Sequence, residues 1–136
     1  MSTVSLKNLL VASKSVQVEY PGYPDFKLSL NFISRETLIS IRKKATKTVY
    51  KNRQPTEEFD EDTFLKLYVE NAVKGWSGLK FAYVDKLAPV DLEGLDLEDE
   101  LAYSEENALY LMKNSSDFDA FVTEKVADLA NFSNNN

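Results

Sequence analysis

Five carboxylates crowd six positions at Glu57, Glu58, Asp60, Glu61 and Asp62, and they are the residues nearest to a chemistry. Asp60-Glu61-Asp62, helped by Glu57 and Glu58, could offer oxygen ligands to a hard cation such as Mg²⁺. Acids in that position are also what a helix N-terminus favours, because its free amides carry partial positive charge. The second reading is adopted: no metal and no cofactor is expected. Just upstream, Lys43, Lys44, Lys47 and Lys51, with Arg42 and Arg53, form a basic row that could face phosphate or an acidic protein. Nucleophilic catalysis has little to build on. The chain has no His and no Cys, no Gly-x-Ser-x-Gly turn, and only four glycines, none grouped into a phosphate loop. An enzyme is not expected.

The elements that must position these groups follow from periodicity. Val16 to Tyr20 alternates apolar and polar residues, and so do Phe26, Leu28, Leu30 and Phe32 with their neighbours. Pro21-Gly22-Tyr23-Pro24-Asp25 lies between them, so the two runs predict a β-hairpin. Leu6 to Ala12 is short and apolar, a third strand or a helical turn. Ser34 is a fitting N-cap for a helix from Arg35 to about Tyr50, with Leu38, Ile41, Ala45 and Val49 inward and the lysines outward. Lys51 to Phe59 then reads as a loop. Asp60 or Asp62 caps a second helix, Thr63 to Lys74, that is apolar over more than half its girth. Ser104 caps a short third helix, and Asn114-Ser115-Ser116 leads into a last one striped by Phe118, Phe121, Val122, Val126 and Leu129. The expected fold class is α+β, with an N-terminal hairpin or small antiparallel sheet packed against a bundle of about four helices.

At 136 residues, 43% hydrophobic, the chain has the length for one core. One domain is expected, divided into a hairpin plus two-helix core at 1–90, an extended, mobile acidic connector at 91–103, a C-terminal helical pair at 104–132 and a frayed tail at 133–136. Charge is lopsided. Residues 1–68 carry 11 basic and 8 acidic side chains, whereas residues 69–136 carry 5 and 14. Asp91 to Glu106 holds eight acids and no base. Such a half repels nucleic acid and could steer a charged protein, or one copy onto another. The basic row and acidic connector could satisfy each other within a chain or between copies. No signal peptide or membrane-length apolar run is read, so no membrane partner is expected.

The order of features resembles the tail assembly chaperones of long-tailed bacteriophages. The residues that carry the likeness are V-Q-V-E-Y-P-G-Y-P-D-F-K-L-S-L-N-F-I-S, then S-R-E-T-L at a helix start, V-K-G-W-S-G-L closing an apolar helix, and Y-S-E-E-N-A-L-Y-L-M before a final F-D-A-F-V. Together they span about residues 6–132, and the most specific pair is Trp76-x-Gly78 with Tyr103-Ser104-x-Glu106-Asn107. The resemblance implies a non-catalytic protein that binds and solubilises the tape measure protein in the host cytoplasm, helps recruit tail tube subunits, gives way as they polymerise, and is not expected in the mature virion. It carries no catalytic residue.

For such a role the partner-binding face is expected at Phe64, Leu65, Tyr68, Val69, Trp76, Phe118, Phe121, Val122 and Leu129, with Lys43, Lys44, Lys47 and Lys51 as an electrostatic rim. A homo-oligomer is expected, with the last helix covering the apolar groove until a client arrives. Trp76 reads more readily as a core residue than as an interface anchor. A competing reading is a small phage-type regulatory protein that binds and inhibits a host enzyme through its acidic half.

Overall fold

Strand β2 (Lys27–Asn31) is the middle of a three-stranded antiparallel sheet, flanked by β1 (Ser15–Glu19) and β5 (Val73–Ser77), in a computed structural model that describes Leu6 and residues 15–134, with side chains through Asp128. Alternation makes this sheet two-faced. Leu28 stands between Val18 and Trp76, and Leu30 between Val16 and Val73, whereas Ser29 stands between Gln17 and Gly75. The apolar side is covered by helices, and Phe26, Leu28, Leu30, Val69, Ala72, Val73, Ala108, Phe118 and Val122 join one core. That is the expected α+β arrangement, a small antiparallel sheet on a bundle of helices. Leu6 is exposed, and the rest of the Leu6–Ala12 segment lies outside the described residues.

Helix α1 (Arg35–Lys44) starts at Ser34, whose hydroxyl accepts from the Thr37 amide at 3.1 Å. It stops six residues short of Tyr50. After Ala45 the chain forms a second hairpin, β3 (Thr46–Lys51) and β4 (Gln54–Phe59), in place of the expected helix end and loop. Thr46, Thr48, Val49 and Tyr50 are β-branched or aromatic and prefer extended backbone. Asn52 and Arg53 both take positive φ, 53° and 66°, which is how a two-residue turn follows the strands' twist.

Helix α2 (Glu61–Ala72) is capped by Asp60, which accepts from the Asp62 and Thr63 amides. It too ends earlier than its apolar run suggests. Val73 switches to φ −101° and ψ 112°, and Val73–Ser77 pairs with β2 as β5. A strand gains there what a helix could not, since Val73 and Trp76 then land on the sheet's covered face. Gly78 closes the strand at φ +74°, and a β-carbon built on it would stand 1.9 Å from the Asp25 carbonyl oxygen in the first hairpin's turn. Only glycine fits where these two turns cross.

A short helix, α3 (Phe81–Leu87), follows, and the sequence periodicity gives no sign of it. The acidic stretch expected to run loose is stitched to its start. Phe81 and Ala82 donate their amides to the carbonyls of Asp99 and Leu97, and Leu101 donates to Leu79. Helices α4 (Glu105–Asn114) and α5 (Ser116–Asn134) complete the fold, capped by Ser104 and Ser115. Ser133 and Asn134, expected in a loose tail, belong to the last turn of α5, and residues 135–136 lie outside the described set. No helix among the described residues is long and apolar enough to cross a membrane.

Candidate interaction surface

The β3–β4 hairpin stands away from the core as an arm. No residue of either strand is buried, and every residue of β4 is exposed. Its base is tied by the Asp60 amide donating to the Ala45 carbonyl at 2.7 Å and by the Thr46 hydroxyl on the Arg42 carbonyl. One face of the arm carries Thr46 with Phe59, Thr48 with Glu57 and Tyr50 with Pro55, and the other carries Lys47 with Glu58, Val49 with Thr56 and Lys51 with Gln54. Tyr50, near the tip, is 75% exposed.

At the arm's root an apolar trough opens between α1, β4 and α2. Arg42, Phe59, Glu61, Phe64 and Leu65 line a cleft of about 520 Å³. The Phe59 and Phe64 rings lie 5.5 Å apart and the Phe64 and Tyr68 rings 6.1 Å apart, so three aromatics run inward from the arm. Exposed Ile39 sits one helical turn before Arg42 and extends the apolar surface along α1. Burial pushes the Tyr68 hydroxyl up to about 12, with Asp119 on α5 adding to the rise.

A second groove lies on another part of the surface, between α3 and α4. Val84, Ala88, Pro89, Val90, Leu101 and Tyr110 are among its walls, and its volume is about 240 Å³. The acidic segment leaves one side of it at Pro89–Val90 and returns at Leu101, with Leu95 and Leu97 half-exposed along the way.

The expected partner face divides in three. Phe64, Leu65 and Tyr68 are half-buried around the trough, as a contact surface requires. Val69, Phe118 and Val122 are not part of any open surface: they are core residues, because α5 lies directly on the sheet's covered side. The Leu129 side chain lies outside the described set. Trp76 and Phe121 are half-buried at the edge of the core. The Trp76 indole donates to the Leu101 carbonyl at 2.8 Å and meets the Tyr103 ring edge-on at 5.2 Å, which pins β5 to the end of the acidic segment. The tyrosine hydroxyls near turns are engaged too, Tyr20 on Asp117, Tyr83 on the Pro24 carbonyl and Tyr103 on the Val73 carbonyl.

The rim lysines do not share one helix face. Lys43 and Lys44 end α1, where they complement its dipole, and Lys47 and Lys51 lie on β3. Lys51 bridges Glu58 at 3.0 Å across the arm. Among the described residues the other ion pairs are Lys80–Glu98 and Lys113–Asp62, so none joins the basic row to the acidic segment. Asp60, Asp62 and Glu58 thus have structural partners, and no group of three or more acids that could hold a metal occurs among the described residues. The Thr63 hydroxyl and amide, followed by the Asp62 amide, hold the Asp60 carboxyl below its usual range. No Ser-x-x-Lys motif is expected, yet Ser40 with Lys43 and Ser77 with Lys80 both have that spacing. A lysine base requires a desolvated position and a lowered pKa, whereas Lys43 is exposed and the hydrogen bond to Glu98 raises Lys80.

Comparison with known families places this surface in context. The family described as YdaY prophage protein matches residues 33–136, from just after β2 to the last residue. The chain belongs to the YdaY prophage protein family. The arm, the trough, the acidic segment and the α3–α4 groove all fall within the YdaY match, and the β1–β2 hairpin precedes it. Membership makes this a phage-derived protein. Comparisons with curated proteins and with solved structures gave no match.

Proposed function

We propose that this phage-derived protein is a tail assembly chaperone, a non-catalytic binding protein that keeps a long helical client in solution in the host cytoplasm. The client is the tape measure protein, and tail tube subunits displace the chaperone as they assemble, so it is left out of the mature virion. The observation that supports this reading is the open trough of Phe59, Phe64 and Leu65 with Arg42 and Glu61 on its rim. Apolar floor and mixed-charge edges suit the greasy stripe of an amphipathic helix, whose own flanking residues carry both signs. The likeness of the sequence to that chaperone family points the same way.

Co-expression with a tape measure protein from the same prophage tests it. The client is expected in the soluble fraction only with this chain, and Phe64→Ser should return it to the pellet while leaving the chaperone folded by circular dichroism. A client equally insoluble with and without the chain overturns the reading.

The exposed acids from Asp91 to Glu106 favour one alternative, inhibition of a host enzyme through a surface that imitates nucleic acid. That alternative requires DNA to compete for the enzyme and the complex to weaken as salt rises.

A further inference from the structure

We propose that the tip of the β3–β4 arm docks into the α3–α4 groove of a second copy of this chain. Three observations meet in this assignment. The arm is a two-stranded hairpin with no buried residue, and such a hairpin is marginal in water unless something covers a face. The face that carries Phe59 at its root ends in Tyr50 and Pro55, an aromatic anchor beside a rigid ring. The groove lies below the ~300–1,000 Å³ of small-molecule sites, which suits one anchoring side chain rather than a ligand.

Charge selects the occupant. At the tip stand Lys51 and Arg53, and around the groove the acidic segment offers Asp91, Glu93, Asp96 and its followers without a base. Within one chain the two blocks make no ion pair among the described residues, and neither Tyr50 nor Pro55 lines the groove. Each copy therefore offers a basic tip, made by Arg53 and the Glu58-bridged Lys51, and an acidic segment with which its own tip forms no ion pair among the described residues. The two surfaces differ, so contacts propagate head to tail, or close when two copies exchange arms. This contact is independent of client binding, which uses the trough at the arm's root.

Light scattering and sedimentation of the full chain test the proposal. Assembly is expected by about 100 µM at low salt, weakening roughly tenfold or more between about 0.05 and about 0.5 M salt. Tyr50→Ala with Arg53→Glu, and separately Val90→Arg, should each give a monomer with an unchanged melting curve. Mixing the two variants should restore a one-to-one pair, because one retains its socket and the other its arm. A wild-type chain that stays monomeric at about 100 µM and low salt overturns the proposal. So does a mixture of the two variants that stays monomeric.

Discussion

Strands β1–β2 and strands β3–β4 are both antiparallel hairpins of five or six residues a strand, yet their side chains meet opposite surroundings. In the first, Leu28 and Leu30 are completely buried, a third strand pairs alongside, and helices cover the apolar face. In the second, no third strand pairs among the described residues and no side chain of either strand is buried. The first is a piece of the core that happens to be a hairpin. The second contributes almost nothing to that core and leaves both edges and an aromatic tip in water, an arrangement that natural sheets usually blunt. Lys47, Lys51 and the proline at Pro55 are such blunting residues. The arm is thus positioned by its root alone, through Ala45, Asp60 and the Phe59–Phe64 contact.

The largest expected difference between the two hairpins is in stability. Leu28→Ala leaves a cavity under the middle strand and should cost about 2–5 kcal/mol. Tyr50→Ala removes a ring that is three-quarters exposed and should change stability by less than about 0.5 kcal/mol. Urea denaturation of the two variants, compared at equal slope and at a concentration where the chain is monomeric, checks both. Comparable losses at both sites would mean that the arm is part of the core.

The first hairpin was legible because alternation and the Pro-Gly turn agree, and because its apolar side chains have a core to enter. Ser34 and Ser104 were equally readable as caps, and the other two were narrowed to Asp60 or Asp62 and to Asn114-Ser115-Ser116, since a short oxygen just before an apolar run has few other uses. The arm was hidden because Leu38, Ile41, Ala45 and Val49 happen to keep helical spacing across the true helix end. The overriding signal was the extended preference of Thr46-Lys47-Thr48-Val49-Tyr50 followed by Asn52. The β5 strand was hidden for a different reason. Nothing local distinguishes Val73 as a strand start, and only the vacant edge of β2 decides it. The exposure of the candidate surface was half legible. An apolar arc too wide for one buried face fits the half-buried Phe64, Leu65 and Tyr68, but the same reasoning could not tell that Val69, Phe118 and Val122 would be sealed inside.

A smaller effect separates the hairpins by pH. Burial, followed by the hydrogen bond to Asp117, raises the Tyr20 hydroxyl well above its ordinary value of about 10, and burial raises Tyr68 as well. An unfolded chain ionises these phenols near pH 10, whereas the folded chain holds their protons longer. The stabilisation is therefore complete below about pH 10 and drains away as pH rises from there toward the folded values. Tyr20→Phe should cost about 1 kcal/mol at neutral pH through the lost hydrogen bond, and should flatten the alkaline decline. Denaturation midpoints from pH 8 to pH 12 read both effects (the range spans the ~10 of a free phenol). An unchanged slope in Tyr20→Phe would detach the first hairpin's turn from α5.

The smallest effect belongs to the arm's own ion pair. Lys51 and Glu58 meet at 3.0 Å, but their side chains remain 65% and 45% exposed, so water already screens most of the attraction. Holding two long side chains together also costs rotamer freedom, and exposed pairs of this kind contribute about 0–1 kcal/mol. Glu58→Gln should accordingly leave the thermal midpoint within the error of measurement, in high salt as in low. Its consequence lies elsewhere: releasing Lys51 makes the arm more positive toward an acidic socket, so self-association should strengthen modestly at low salt while stability stays put. If stability fell by more than about 1 kcal/mol instead, the pair would be holding the arm in shape, and the independence of arm and core would fail at its weakest link.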